Sequence, residues 1–332
     1  MLGYHLQLNN SGSFMSEETP DKKSCISSLP NEPPSLVDLS ATDKPWDKHR
    51  KNADTVSEYY TRSDDLRDYG DRVRFCAEFL DFLLVPEQKG EYKLKLASAR
   101  FCRVRHCPVC QWRRSLMWKA KAYKVLPTIV ERFPTYRWLF LTLTIRNCPI
   151  TELKDTLMHM NKSFKRLTEL KAWPAIGWLK SVEVTRGKDG NAHPHFHCLL
   201  MVKPGYFGKN YIKQAEWVEM WRSSLRVDYN PVLDVQAIKK GQQPMQLVPE
   251  LLKYCTKESD LTADQEWFLE LTRQMHKMKG IVTGGVLKEY LRELEEEPSD
   301  LIGEDNLAGV DKGHLFFEWK KQKKKYKLVN HE

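Results

Sequence analysis

The sequence predicts an α+β fold, an antiparallel β-sheet with helices packed on it. Between residues 137 and 262 the spacing of apolar residues alternates between strand and helix periods, in the order β-α-β-β-α-β-α. Within that span, two apolar runs flank the polar turn RGKDGN and read as a β-hairpin over 177–202. Apolar residues make up 41% of the 332-residue chain, enough for a substantial core.

Taken in order, residues 1–55 are rich in Ser, Pro, Asn, Asp and Lys and poor in aromatics. Such a composition buries too little apolar surface to offset its ordering entropy, so a disordered tail is expected. A helical region over 56–130 follows, in which RVRFCAEFLDFLLV carries apolar residues three and four apart and QWRRSLMWKAKAYKVLPTIVERF forms a second helix. The predicted catalytic domain spans 131–262. RWLFLTLTIRN (137–147) is a buried strand, TELKDTLMHMNKSFKRLTEL a helix, and the hairpin comes next. YIKQAEWVEMWRSSLRV is an amphipathic helix, VLDVQAIKK a short strand and MQLVPELLKYCTKESD a helix. Residues 263–332 are expected to be a helical C-terminal region. Its acidic ELEEEPSD and basic KKQKKKYK blocks read as solvated, mobile segments.

A net charge of +9 favours a polyanionic partner. The N-terminus lacks the apolar run of a secretory signal, and no stretch of sequence is long and apolar enough to span a bilayer. A reducing cytoplasm is therefore expected, where spaced cysteines act as metal ligands rather than disulfides.

The sharpest local signal is His193-Pro194-His195-Phe196-His197. Alternate residues of a strand share a face, so the three imidazoles point the same way. Imidazoles in that spacing suit a divalent cation with open coordination positions. Glu183, on the preceding hairpin strand, is placed to add a carboxylate, and such a mixed set fits Mg or Mn better than a closed zinc site. In the helix predicted over 245–260, Glu250 and Tyr254 lie one turn apart, with Lys253 and Lys257 alongside. The lysines favour the phenolate of Tyr254, a competent nucleophile toward phosphodiesters, and Glu250 is a candidate general base. Cys102, Cys107 and Cys110, the last two in a Cys-Pro-Val-Cys knuckle, are candidate ligands for structural Zn, with Cys76 or His106 as the fourth. The knuckle leads into a helix whose Arg113, Arg114, Lys119, Lys121 and Lys124 alternate with Trp112, Trp118 and Tyr123, a pattern suited to nucleic acid.

Together these segments resemble the Rep family of rolling-circle plasmid replication initiators, within the HUH endonuclease superfamily. That family shows, in order, a strand like Phe140-Leu141-Thr142-Leu143-Thr144, a His-hydrophobe-His strand (His195-Phe196-His197) and a tyrosine helix E-x-x-K-Y-x-x-K (Glu250, Lys253, Tyr254, Lys257). The CPVCQWRR segment also looks like that family's cysteine element. The resemblance runs from about Arg100 to Lys257. It implies a ferredoxin-like nuclease core in which His195, His197 and either Glu183 or His193 hold a divalent metal. It also implies that Tyr254 cuts one strand at the plasmid origin, stays joined to the 5′ end and frees a 3′-OH for the host polymerase, with a helicase as a further partner. Glu250 would activate water at termination. A single tyrosine is implied, since position 258 is Glu.

Two other readings share some of these features. Relaxases of the superfamily carry their tyrosine ahead of the histidines, whereas here it follows them, and transposases of the superfamily are typically shorter and lack the cysteines. A non-enzymatic zinc-bearing DNA-binding regulator would leave the histidine strand unexplained. Origin specificity is expected to lie outside the catalytic sheet.

Overall fold

The computed structural model describes residues 32–86, 92–239, 244–252, 256–291 and 313–329. Helices α1 (Leu36–Leu39), α2 (Lys44–Thr61) and α3 (Arg67–Arg74) lead into strands β1 (Phe79–Pro86) and β2 (Tyr92–Ala99). Helix α4 (Pro108–Arg132) connects to β3 (Arg137–Thr144), α5 (Leu153–Thr168), β4 (Ala175–Arg186), β5 (Ala192–Val202), α6 (Gln214–Leu225) and β6 (Leu233–Ala237). Then come α7 (Val248–Leu251), α8 (Glu258–Ala263), α9 (Gln265–Gln274), β7 (Ile281–Gly285), α10 (Val286–Leu291), β8 (His314–Lys320) and β9 (Lys325–Val329).

The strands form two antiparallel sheets, a five-stranded one in the order β6-β3-β5-β4-β7 and a four-stranded one in the order β2-β1-β8-β9. The α+β expectation therefore holds, and the central hairpin forms as β4 and β5, with Glu183 opposite His195 and Ser181 opposite His197. Strand alternation divides the five-stranded sheet into two faces. Leu139, Leu141, Leu143, Val182, Val184, Phe196, Cys198 and Leu200 face back into the larger core with α5, α6 and the N-terminal helices. Trp138, Phe140, Leu179, Leu199 and Met201 face forward, against the second half of α4, α7 and α10.

Several expectations fail. Residues 32–55 are not a disordered tail: α2 seats Trp46, Ala53, Val56 and Tyr60 in the core, with Trp46 edge-on to Trp112 at 4.8 Å. Burying an aromatic of that size contributes about 2–3 kcal/mol, which a low average hydropathy conceals. Residues 1–31 lie outside the described residues. Gly70 lets α3 approach α2, since a Cβ there would stand 2.5 Å from Thr61 Oγ1 and 2.8 Å from its backbone nitrogen.

RVRFCAEFLDFLLV is not one helix. It leaves the helix after Arg74 and enters β1, where buried Leu80 and Phe82 alternate with Phe79 and Asp81. The basic C-terminal block is not a mobile tail either. Lys320 to Lys327 belong to the β8–β9 hairpin, which buries Phe317, Trp319 and Tyr326 beside β1. The five-stranded sheet also extends past residue 262, because β7 pairs with β4 as its edge strand. In that strand Gly284 lies flat under Trp178, whose ring would stand 2.2 Å from an added Cβ.

Candidate active site

On the front face of β3 the side chains run Trp138, Phe140, Thr142, Thr144, from apolar to polar. Where that change occurs, β5 presents His197 opposite Thr142 and His195 opposite Thr144. Phe140 stacks on the His197 ring at 5.6 Å, fixing its plane. Glu183 comes up from β4 on the same face, so three residues on two paired strands converge. Glu183 Oε2 lies 2.6 Å from His195 Nε2 and 2.9 Å from His197 Nε2. The three residues are buried, with one ligand atom of each within 4.8 Å of the others.

The hydrogen-bond geometry around His195 is compatible with a cation. His195 Nδ1 lies 3.2 Å from the His193 carbonyl oxygen, which can only accept, so Nδ1 carries the hydrogen. In the neutral ring, Nε2 then turns a lone pair toward a carboxylate oxygen. A contact of 2.6 Å between ring nitrogen and carboxylate is held by a proton or by a cation, and a divalent ion suits a site where the second ring nitrogen is anchored in this way. His193 shares the face, its ring 5.3 Å from that of His195, but is not among the grouped ligands. Burial, and then His195, push its pKa down, leaving it neutral at the rim.

Where one helix is expected over 245–260, the described residues hold the short helices α7 and α8, with the backbone extended at Lys257 (φ −63°, ψ 139°). Val248, Leu251 and Leu252 pack into the front-face cluster, so the chain reaches residue 252 on the same face as the histidines. Glu250 is exposed on α7 and Lys257 exposed at the start of α8. Lys253 and Tyr254 lie outside the described residues. Glu258 turns inward to bind the imidazole of His49 and accepts from Asn52 at 2.7 Å, docking α8 on α2. Neither partner was visible in the sequence, because the contact spans more than 200 residues.

The second cluster joins Cys76, after α3, to Cys102, Cys107 and Cys110. Adjacent sulfurs lie 3.5–3.6 Å apart, close to the edge of about 3.8 Å that four Zn–S bonds of ~2.3 Å define in a tetrahedron. Backbone N–H groups of Cys102 and Arg103 point at the sulfurs of Cys76 and Cys110. Contact with Cys102 holds the Cys110 thiol well below its ordinary pKa, while the same neighbour raises Cys76 and burial raises Cys107. Four buried sulfurs this close cannot all ionise without a cation among them. His106 is not part of this set, its Nδ1 lying 3.1 Å from Thr272 Oγ1.

The basic helix is α4, yet Arg113 and Arg114 in its first half turn inward. Arg113 lies over the rings of Trp46 and Trp112, and burial pushes its pKa down to about 10. Arg114 donates to the carbonyl oxygens of Arg103 and Arg105, bracing the cysteine loop. Tyr123 and Lys124 are exposed further along. Among the described residues, no helix is long and apolar enough to cross a membrane.

A family model described as "Replication protein" matches residues 93–327, well over half of the chain. A "Protein rep" of Bacillus amyloliquefaciens is 33% identical over 305 residues, covering 80% of this chain and 88% of its own length. A "Protein rep" of Lactiplantibacillus plantarum is 37% identical over 270 residues, covering 76% and 83% respectively. A "Replication protein" of Staphylococcus aureus is 33% identical over 226 residues, covering 62% of this chain and 96% of its own. No solved structure matches. On this similarity the chain belongs to the replication protein (Rep) family.

Proposed function

We propose that this protein initiates rolling-circle replication of a plasmid in the cytoplasm of a prokaryotic host, as a metal-dependent endonuclease acting on one strand at the origin. The observation that carries the reading is the convergence of Glu183, His195 and His197 on one face of the sheet, in a chain of this family. These three residues would hold Mg or Mn, which when bound polarises a phosphodiester. The buried rings orient the ligand atoms, and the front face brings the segment entering residue 253 to the same side of the sheet.

Tyr254 is the proposed nucleophile. Its phenolate oxygen bonds to phosphorus, the bond from phosphorus to the 3′ oxygen breaks, and the strand ends as a 5′-phosphotyrosine and a free 3′-OH. Lys253 and Lys257 supply positive charge around the phenolate, and Glu250 takes a proton from water when the cycle ends. The four cysteines hold a structural Zn, and origin DNA, host polymerase and a helicase are the partners. The test uses a single-stranded oligonucleotide carrying the plasmid nick site with Mn or Mg. Wild type should form a covalent adduct that resists denaturing electrophoresis, and Tyr254→Phe should form none. Absence of adduct from wild type, or equal adduct from the variant, overturns the proposal.

A further inference from the structure

Beside the histidine strand the sheet ends in an open cleft of about 540 Å³. It forms where β3 runs out at Thr144, where the β4–β5 turn folds over, and where the chain enters β6. Arg146, Asn147, Asp189, Asn191, His193 and Tyr229 contribute its chemistry. The Arg146 guanidinium lies over the Tyr229 ring at 4.2 Å, and the Tyr229 hydroxyl accepts from the Arg146 backbone N–H at 3.1 Å. Arg146 is exposed, so a planar cation backed by an aromatic ring faces the solvent. Facing it, the Asp189 carboxylate accepts from the backbone and side chain of Asn191 at 3.1 and 2.9 Å, and from Asn147 at 3.5 Å. Those hydrogen bonds hold Asp189 below its ordinary pKa, so it stays ionised.

We infer that this cleft binds one unpaired nucleotide of a single DNA strand next to the scissile phosphate, with the base on Arg146 and Tyr229 and its edge toward Asp189, Asn147 and Asn191. The inference rests on the proposed nuclease reading for the position of the phosphate. Three features select this ligand. A guanidinium stacked on an aromatic ring offers a platform for the flat face of a base, and only an unpaired base presents that face. A fixed carboxylate repels a phosphate but accepts from an exocyclic amino group, so it suits a base edge. His193 lies on both sites, lining the cleft while its ring stands 5.3 Å from that of His195, which places the cleft one strand position beyond the metal ligands. There it would hold the strand, outside the group formed by Glu183, His195 and His197.

The cleft can be tested without cutting. Fluorescein-labelled dT, dA and dC 12-mers and a mixed-sequence duplex are titrated into the full-length protein in EDTA, with binding read by anisotropy. Wild type should prefer single strands to the duplex. Tyr229→Ala and Arg146→Ala should each weaken single-strand binding about 5-fold or more, whereas Tyr229→Phe, which keeps the ring, should stay within about 2-fold. Asp189→Ala should reduce binding of dC and dA relative to dT. Melting curves matched to wild type establish that each variant is folded. Unchanged single-strand affinity in a folded Tyr229→Ala, or an equal loss for duplex and single strand, overturns the inference. Adduct from wild type together with unchanged binding by Tyr229→Ala would remove the cleft and spare the nuclease reading. Lack of adduct alongside the predicted binding losses would do the reverse.

Discussion

The two metal-competent clusters differ in how they are built. Glu183, His195 and His197 sit on paired strands as a set of three, and His193 on the same strand lines a polar cleft beside them. The four cysteines come from a helix end, a loop and a helix start, and they close on one another with every sulfur facing its neighbours. An open set of three ligands keeps coordination positions for a substrate, whereas a closed set of four thiolates spends them all on holding the chain. The first arrangement suits chemistry and the second suits structure, tying the segment after α3 to the start of α4.

That contrast makes separable predictions. Glu183→Ala should lower adduct formation about 100-fold or more while leaving the melting temperature within a few degrees, because it would remove one of three proposed ligands without loosening the sheet. An adduct rate within threefold of wild type would break the contrast. Cys76→Ser should do the opposite, losing one zinc per chain by native mass spectrometry and lowering the melting temperature by about 10 °C. Unchanged metal content and melting would remove the closed site.

The reverse of the same sheet supplies a third test. Lys180 is buried there against the rings of Phe164 and Phe196, with its ammonium donating to Asn161 at 2.6 Å. Burial pushes its pKa down from 10.5 to about 8. Between those values the unfolded chain binds a proton that the folded chain does not, so wild-type stability rises with pH across that window. Below about pH 8 the penalty is fully present. Lys180→Met should therefore be more stable than wild type by up to about 3 kcal/mol at pH 7, with the gap closing toward pH 10.5, as read by urea unfolding. A gap that does not change with pH would refute this. The smallest effect belongs to His193→Ala, which should change Mn affinity less than about 3-fold while His195→Ala changes it about 100-fold. Comparable losses by calorimetry would return His193 to the ligand set.

The strand-borne site was legible because its residues are close in sequence. Alternation alone placed His193, His195 and His197 on one face, and a short turn brought Glu183 opposite His195. Which of Glu183 and His193 groups with His195 and His197 was not legible, since it depends on where side-chain atoms end rather than on which face they share. The helix carrying Glu250 was overextended because spacing describes an amphipathic face equally well over one helix or two. The partner that docks its C-terminal part, His49 bound by Glu258, comes from a segment expected to be disordered.

By itself, then, the sequence determined the features that depend on local periodicity and short spacing: the α+β class, the β4–β5 hairpin, the histidine strand and the cysteine knuckle. Only the tertiary structure decided the features that depend on distant partners. Residues 32–55 fold because Trp46 finds Trp112. The β8–β9 hairpin forms despite its charge because β1 offers an edge to pair with, and Cys76 completes the thiol cluster from outside the knuckle. Tyr229 reaches Arg146 in the same way, across 83 residues. In each case the favourable energy comes from a surface that the chain builds elsewhere, so a local window of sequence does not contain it.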